Sequence, residues 1–226
     1  INSAATVSVM RPDGTVIGRH FCSLPVEKDH LMHAVNRIKK AQQHGARKTP
    51  RLWAWAKGIN DDIAVKTAQF IIDTAVLYNA DVIVFEHLDL NRRKRGSKKQ
   101  RLHLWKARRV QSVVADKAHR LGMRISRVNA WNTSRLAFDG SGRVFRGRES
   151  EKAGGSYSIS EFQNGKVYNC DLNAVYNIGA RYYIREILKS LPETGRLALE
   201  AKVPSCAKRS TCTLSTLISM YAALAA

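Results

Sequence analysis

The chain has 226 residues, 44% of them apolar and 25% charged, which is enough for one domain with a sizeable core. Its 38 Lys and Arg against 18 Asp and Glu leave a net charge of +20, an excess that solubility does not require and that points to a polyanionic partner, nucleic acid foremost. Cys22, Cys170, Cys206 and Cys212 form no CxxC pair, which argues against a zinc ribbon and a disulfide framework and makes a reducing cytosol the default. The longest apolar run, 213–226, is too short to span a bilayer and reads as a terminal helix docked on the body, so no membrane association is expected.

The chain starts with Ile1, inside an alternating run, as a fragment of a longer protein would. Pro12-Asp13-Gly14 separates two such runs and predicts a hairpin of strands over 2–10 and 15–24. Helical spacing of Leu31, Val35 and Ile38 predicts a helix over 26–44. Pro50 reads as a break, and a second helix is expected over 61–78, with Asp61 and Asp62 at its positive end. Val82-Ile83-Val84-Phe85 is a continuous apolar run of the kind found in strands buried on both faces.

Then comes NRRKRGSKKQR, in which seven of eleven residues are basic. No core can be built from it, so it is a loop or helix edge facing solvent or phosphate. A third helix is expected over 103–121 and a strand over 123–130. Residues 132–167, rich in Gly and Ser, read as a small hairpin-bearing insertion, and a last helix covers 171–189 before Pro192. The order of elements predicts a mixed α/β sheet flanked by helices.

Two carboxylates stand out. Glu86 follows the apolar strand, where the crevice beyond strand ends favours functional groups, although a solvated Glu would fit as well. Asp171 opens a helix with the stripe Leu172, Val175, Ile178 and Tyr182, and is either its N-cap or a metal ligand. Together they could hold Mg²⁺, which takes hard oxygen ligands. A two-metal phosphodiester site needs a third carboxylate, and none of comparable quality is found.

The stretches INSAATVSVMRPDGTVIG, DVIVFEHLDL, NTSR and CDLNAVYNIGARYYI resemble, in that order, the RuvC-like nuclease domain of transposon-encoded TnpB proteins and the related type V CRISPR effectors. The resemblance covers roughly residues 1–190, and Asp-x-Asn-Ala followed by Asn-Ile carries most of its specificity. It implies an RNase H-like (RuvC) fold whose middle and last catalytic, metal-binding carboxylates fall on Glu86 and Asp171. The first would lie just upstream of Ile1. These relatives usually carry a zinc ribbon where this chain has a single Cys, so a metal-free hairpin module is expected and no zinc.

The implied organisation is a core over 1–131, an inserted nucleic-acid-binding module over 132–168, the last core helix over 169–190 and a helical tail over 191–226. The implied activity is RNA-guided DNA cleavage with Mg²⁺ or Mn²⁺, inside a prokaryotic cytoplasm. The implied partners are guide RNA, a DNA target strand and the upstream part of the same effector. Arg92, Arg93, Lys94, Arg95, Lys98, Lys99 and Arg101, with Lys106, Arg108 and Arg109 on the following helix, form the expected nucleic-acid groove, and Trp105 is either a stacking or a core residue. A catalytically inactive RNA-guided binder and a DDE-type transposase using Glu186 are the alternatives.

Overall fold

The computed structural model describes residues 4–87 and 98–225, with the side chains of 98–105 excepted. Strands β1 (Ala5–Met10) and β2 (Val16–Cys22) form the expected antiparallel hairpin. Its turn is locked by the Asp13 carboxylate, which accepts from Thr15 N at 2.9 Å, and by Gly14 at φ +91°. Helix α1 (Pro25–Gln43) packs on α2 (Pro50–Leu77) through Ala34, Ile38 and Ala56.

Helix α2 corrects the expected start at 61. Pro50 sits in its first turn, where the missing N–H costs nothing, so it initiates the helix and breaks none. Asp61 and Asp62 therefore lie mid-helix, where they tie elements together. Asp61 pairs with Arg109 at 3.0 Å, and Asp62 shares Lys66 with Glu27 of α1.

Strands β3 (Val82–His87) and β4 (Arg124–Asn129) are parallel, joined by α3 (Lys98–Arg120) as the crossover such a pair requires. Helix α3 begins earlier than expected, which puts Lys98, Lys99 and Arg101 on a helix. Ile83 of β3 is buried and Val82, Val84 and Phe85 are half-buried, so the expected burial on both faces is only partial. Among the described residues β3 pairs with β4 alone.

The insertion is a three-stranded antiparallel sheet, β5 (Phe145–Arg146), β6 (Ile159–Glu161) and β7 (Val167–Asn169), over a small core of Ala137, Val144 and Phe162. Helix α4 (Cys170–Ser190) is the hub. It packs on β1, β3 and β4 and on the tail helices α5 (Glu193–Lys202) and α6 (Leu214–Ala225). Gly179 lets β1 approach closely, since a Cβ there would lie 3.2 Å from the Met10 side chain. The expected terminal helix is thus α6, buried through Leu214, Leu217 and Met220. All four cysteines are free and buried, and among the described residues no helix is long and apolar enough to cross a membrane.

Candidate nuclease site

Glu86 is half-buried at the carboxyl end of β3, opposite Val128 in the parallel ladder. The hydroxyl of Thr133, itself 2% exposed, donates to Glu86 Oε1. This fixes one carboxylate oxygen and leaves the other for a ligand.

Thr133 is in turn held by α4. Asn177 Nδ2 donates to Thr133 O and to Leu136 O, each at 2.9 Å, while its Oδ1 accepts from Leu214 N at 3.2 Å. One turn earlier, Asn173 donates to Leu136 O at 2.8 Å and accepts from Phe138 N at 2.8 Å. One turn later, Arg181 donates from Nη1 to Asn129 O (2.8 Å) and Trp131 O (2.7 Å), from Nε to Cys212 O (3.1 Å) and from Nη2 to Ser210 O (3.0 Å). Burial lowers the pKa of Arg181, against the opposing pull of Cys212 and Glu86.

Asn173, Asn177 and Arg181 therefore clamp the 129–138 loop to one face of α4. Asn173 and Asn177 are the asparagines of the Asp-x-Asn-Ala and Asn-Ile motifs, and with Arg181 they stand at i, i+4 and i+8 on a face that should otherwise be apolar. Removing one clamp has a predictable cost. Asn177→Ala deletes three hydrogen bonds from a fully buried position and should lower stability by about 2–4 kcal/mol, read from urea unfolding.

The two roles open to Asp171 are separated by its neighbour. Asn169 is the N-cap of α4, its Oδ1 accepting from both Asp171 N and Leu172 N at 2.9 Å. Asp171 sits in the first turn, exposed, and its carboxylate has no hydrogen-bond partner among the described residues. An anion there is favoured by the helix dipole, and it is available to a cation. Asn177 lies six residues along α4 from Asp171, roughly 9 Å of helix axis, so Glu86 and Asp171 hang from one continuous hydrogen-bonded frame.

The other expected site residues fare differently. Arg92, Arg93, Lys94 and Arg95 lie outside the described residues, and nothing is described of the side chains of Lys98, Lys99, Arg101 and Trp105. Arg108 is exposed. Arg109 is committed to Asp61, and burial, with Lys28 adding to it, lowers the pKa of Lys106. Glu186 pairs with Arg185 at 2.9 Å and lies fifteen residues from Asp171, roughly 22 Å along α4, too far to share an ion with it. Cys170 is buried with Arg146 Nη1 at 3.1 Å from its sulfur. Among the described residues no three His, Cys, Asp or Glu side chains cluster as a metal site would need.

The chain is 30% identical over 166 residues to a TnpB-like protein of Aquifex aeolicus (strain VF5), a match covering 68% of this chain and 52% of that one. The fold is similar to that in a cryo-EM structure of a Cas12f1–sgRNA–target DNA complex, with a TM-score of 0.54 and 17% identity, over 73% of this chain and 45% of that one. No family profile matches. The chain is a relative of the TnpB-like proteins, and it spans about half the length of the relatives it matches.

Proposed function

We propose that this chain is the RuvC-like part of an RNA-guided DNA endonuclease that hydrolyses DNA phosphodiesters with Mg²⁺ or Mn²⁺, in the cytoplasm of a prokaryote. The observation that carries this reading is a Glu86 oriented by Thr133 and an Asp171 relieved of capping by Asn169, both attached to α4 through the Asn177–Thr133 bond. The Cas12f1 complex contains guide RNA and target DNA, and we take the same partners for this chain.

The donor chemistry fits a hard divalent ion. Glu86 offers a free oxygen from a half-buried, oriented carboxylate and Asp171 an exposed one, with water and substrate phosphate completing the shell. A two-metal site would need a third carboxylate beside these two. The metal, when bound, activates water and stabilises the leaving oxygen. Thr133 holds Glu86 in its orientation, and α4 holds Thr133. Thr133→Val keeps the shape and removes the hydroxyl, so cleavage should fall about 10–100-fold with DNA binding kept.

The same reading makes β1–β2 and β3–β4 two halves of one RNase H-like sheet. Both pack on one hydrophobic layer, in which Ala5 and Val7 of β1 and Ile83 and Phe85 of β3 meet Ala68, Ile71 and Ile72 of α2. Both also lie against α4 on the other side, where Tyr183 donates to Met10 O at 2.9 Å.

The test is cleavage of guide-matched DNA by the longer protein containing this chain. Cutting that needs both guide and Mg²⁺ or Mn²⁺ supports the proposal, and tight guided binding without cutting overturns it in favour of an inactive binder. That second reading is favoured by the lack of a three-donor cluster among the described residues. Against it, two carboxylates facing phosphate would repel the ligand without a cation between them. Reversing charge across Arg92–Arg101 should weaken DNA affinity and flatten its salt dependence, measured by anisotropy at several salt concentrations.

A further inference from the structure

A cavity of about 520 Å³ lies beside β4, between α4 and the tail, and its walls are unusually cationic. Arg127, Arg181, Arg185, Lys189, Arg196 and Arg209 line it, with Glu200 the acid in the wall. Glu186 pairs with Arg185 and sits 3.9 Å from Lys189, and Glu200 is 3.9 Å from Arg196. Six cations against these two carboxylates leave an excess of four. Among the described residues neither Arg127 nor Arg209 has an ion-pair partner, so both guanidinium groups are free for a ligand. Arg181 is different: its four bonds to carbonyls make it part of the wall's frame.

We propose that this cavity is a second nucleic-acid contact, gripping the phosphodiester backbone of a strand. Three observations select that occupant. The cationic wall runs along α4 from Arg181 to Lys189, eight residues or roughly 12 Å, more than one phosphate can use. The lining contains no aromatic ring, so a free nucleotide would find no face on which to stack its base. Arginine forks match phosphate oxygens bidentately, and the aliphatic floor of Ile184, Leu188 and Leu191 accepts the sugar edge. The contact is built by the tail, separately from the carboxylates, and it does not rest on their binding a metal.

The test uses the 226-residue chain in EDTA, so that no metal chemistry enters, with a fluorescein-labelled twenty-nucleotide oligothymidylate followed by anisotropy. R127E/R209E should raise Kd at least about tenfold at moderate salt and shrink the slope of log affinity against log salt by about one to one and a half. R127K/R209K should retain most of the affinity, and an unchanged melting temperature in both shows that the fold is intact. An unchanged Kd and slope in the charge-reversed variant would overturn the proposal. So would displacement of the oligonucleotide by thymidine monophosphate from the parent chain but not from R127E/R209E, which would make the cavity a free-nucleotide pocket.

Discussion

The longer protein carrying Glu86→Ala or Asp171→Ala is expected to lose guided, metal-dependent DNA cleavage while keeping its affinity for guide and target. Each substitution removes a proposed direct ligand, so the loss should exceed the roughly 100-fold typical of a supporting hydrogen bond. The two variants differ in what else they disturb. Asp171 is exposed and makes no side-chain hydrogen bond among the described residues, so its removal leaves the fold untouched apart from a small loss of helix-dipole stabilisation. Glu86 accepts from the buried Thr133 hydroxyl, so its removal leaves that donor with the Ala130 carbonyl, at 3.1 Å, as its remaining acceptor. A double variant with Thr133→Val separates the two effects: stability recovers and activity does not. Cleavage at parental rates by either single variant contradicts the assignment.

Arg181→Ala is expected to be the most destabilising single substitution in α4. The guanidinium is 5% exposed and donates to four carbonyls, one at the end of β4, one in the loop that follows and two in the segment before α6. Truncation leaves those carbonyls unpaired in a site too buried for easy hydration, and the cost should be about 3–5 kcal/mol. For a chain of this size that corresponds to a melting temperature lower by roughly 10 °C or more. The loop that carries Thr133 should loosen with it, so the longer protein should also lose cleavage, although Arg181 touches no reacting group. A melting shift of only a degree or two would mean that the clamp is not structural.

The elements most legible in the amino-acid chain are those whose chemistry is local. Pro12-Asp13-Gly14 sets its own turn, and the apolar spacing of α4 needs no partner to be read. What was hidden depends on tertiary partners or on competition between neighbours. Pro50 serves equally as a breaker and a helix starter, and only the packing of α2 on α1 decides. Asn169 and Asp171 are both good caps two residues apart, and the register of α4, starting at Cys170, hands the role to Asn169. The interior of β3 looks like a fully buried strand, yet how deeply it is covered depends on the helices packed against it. Thr133 carries no signal in isolation. Its role arises because Asn177, forty-four residues away, presses its backbone toward Glu86.

The central claim is that Glu86 and Asp171 share a metal site, and iron-directed hydroxyl-radical cleavage of the longer protein tests it most directly. Fe²⁺ replaces Mg²⁺ at such sites and cuts nearby backbone on addition of ascorbate and peroxide. The account predicts fragments ending near residues 86, 133 and 171, suppressed by excess Mg²⁺ and lost in Asp171→Asn. Cuts near only one of the two carboxylates, or a pattern that Asp171→Asn leaves unchanged, would contradict it.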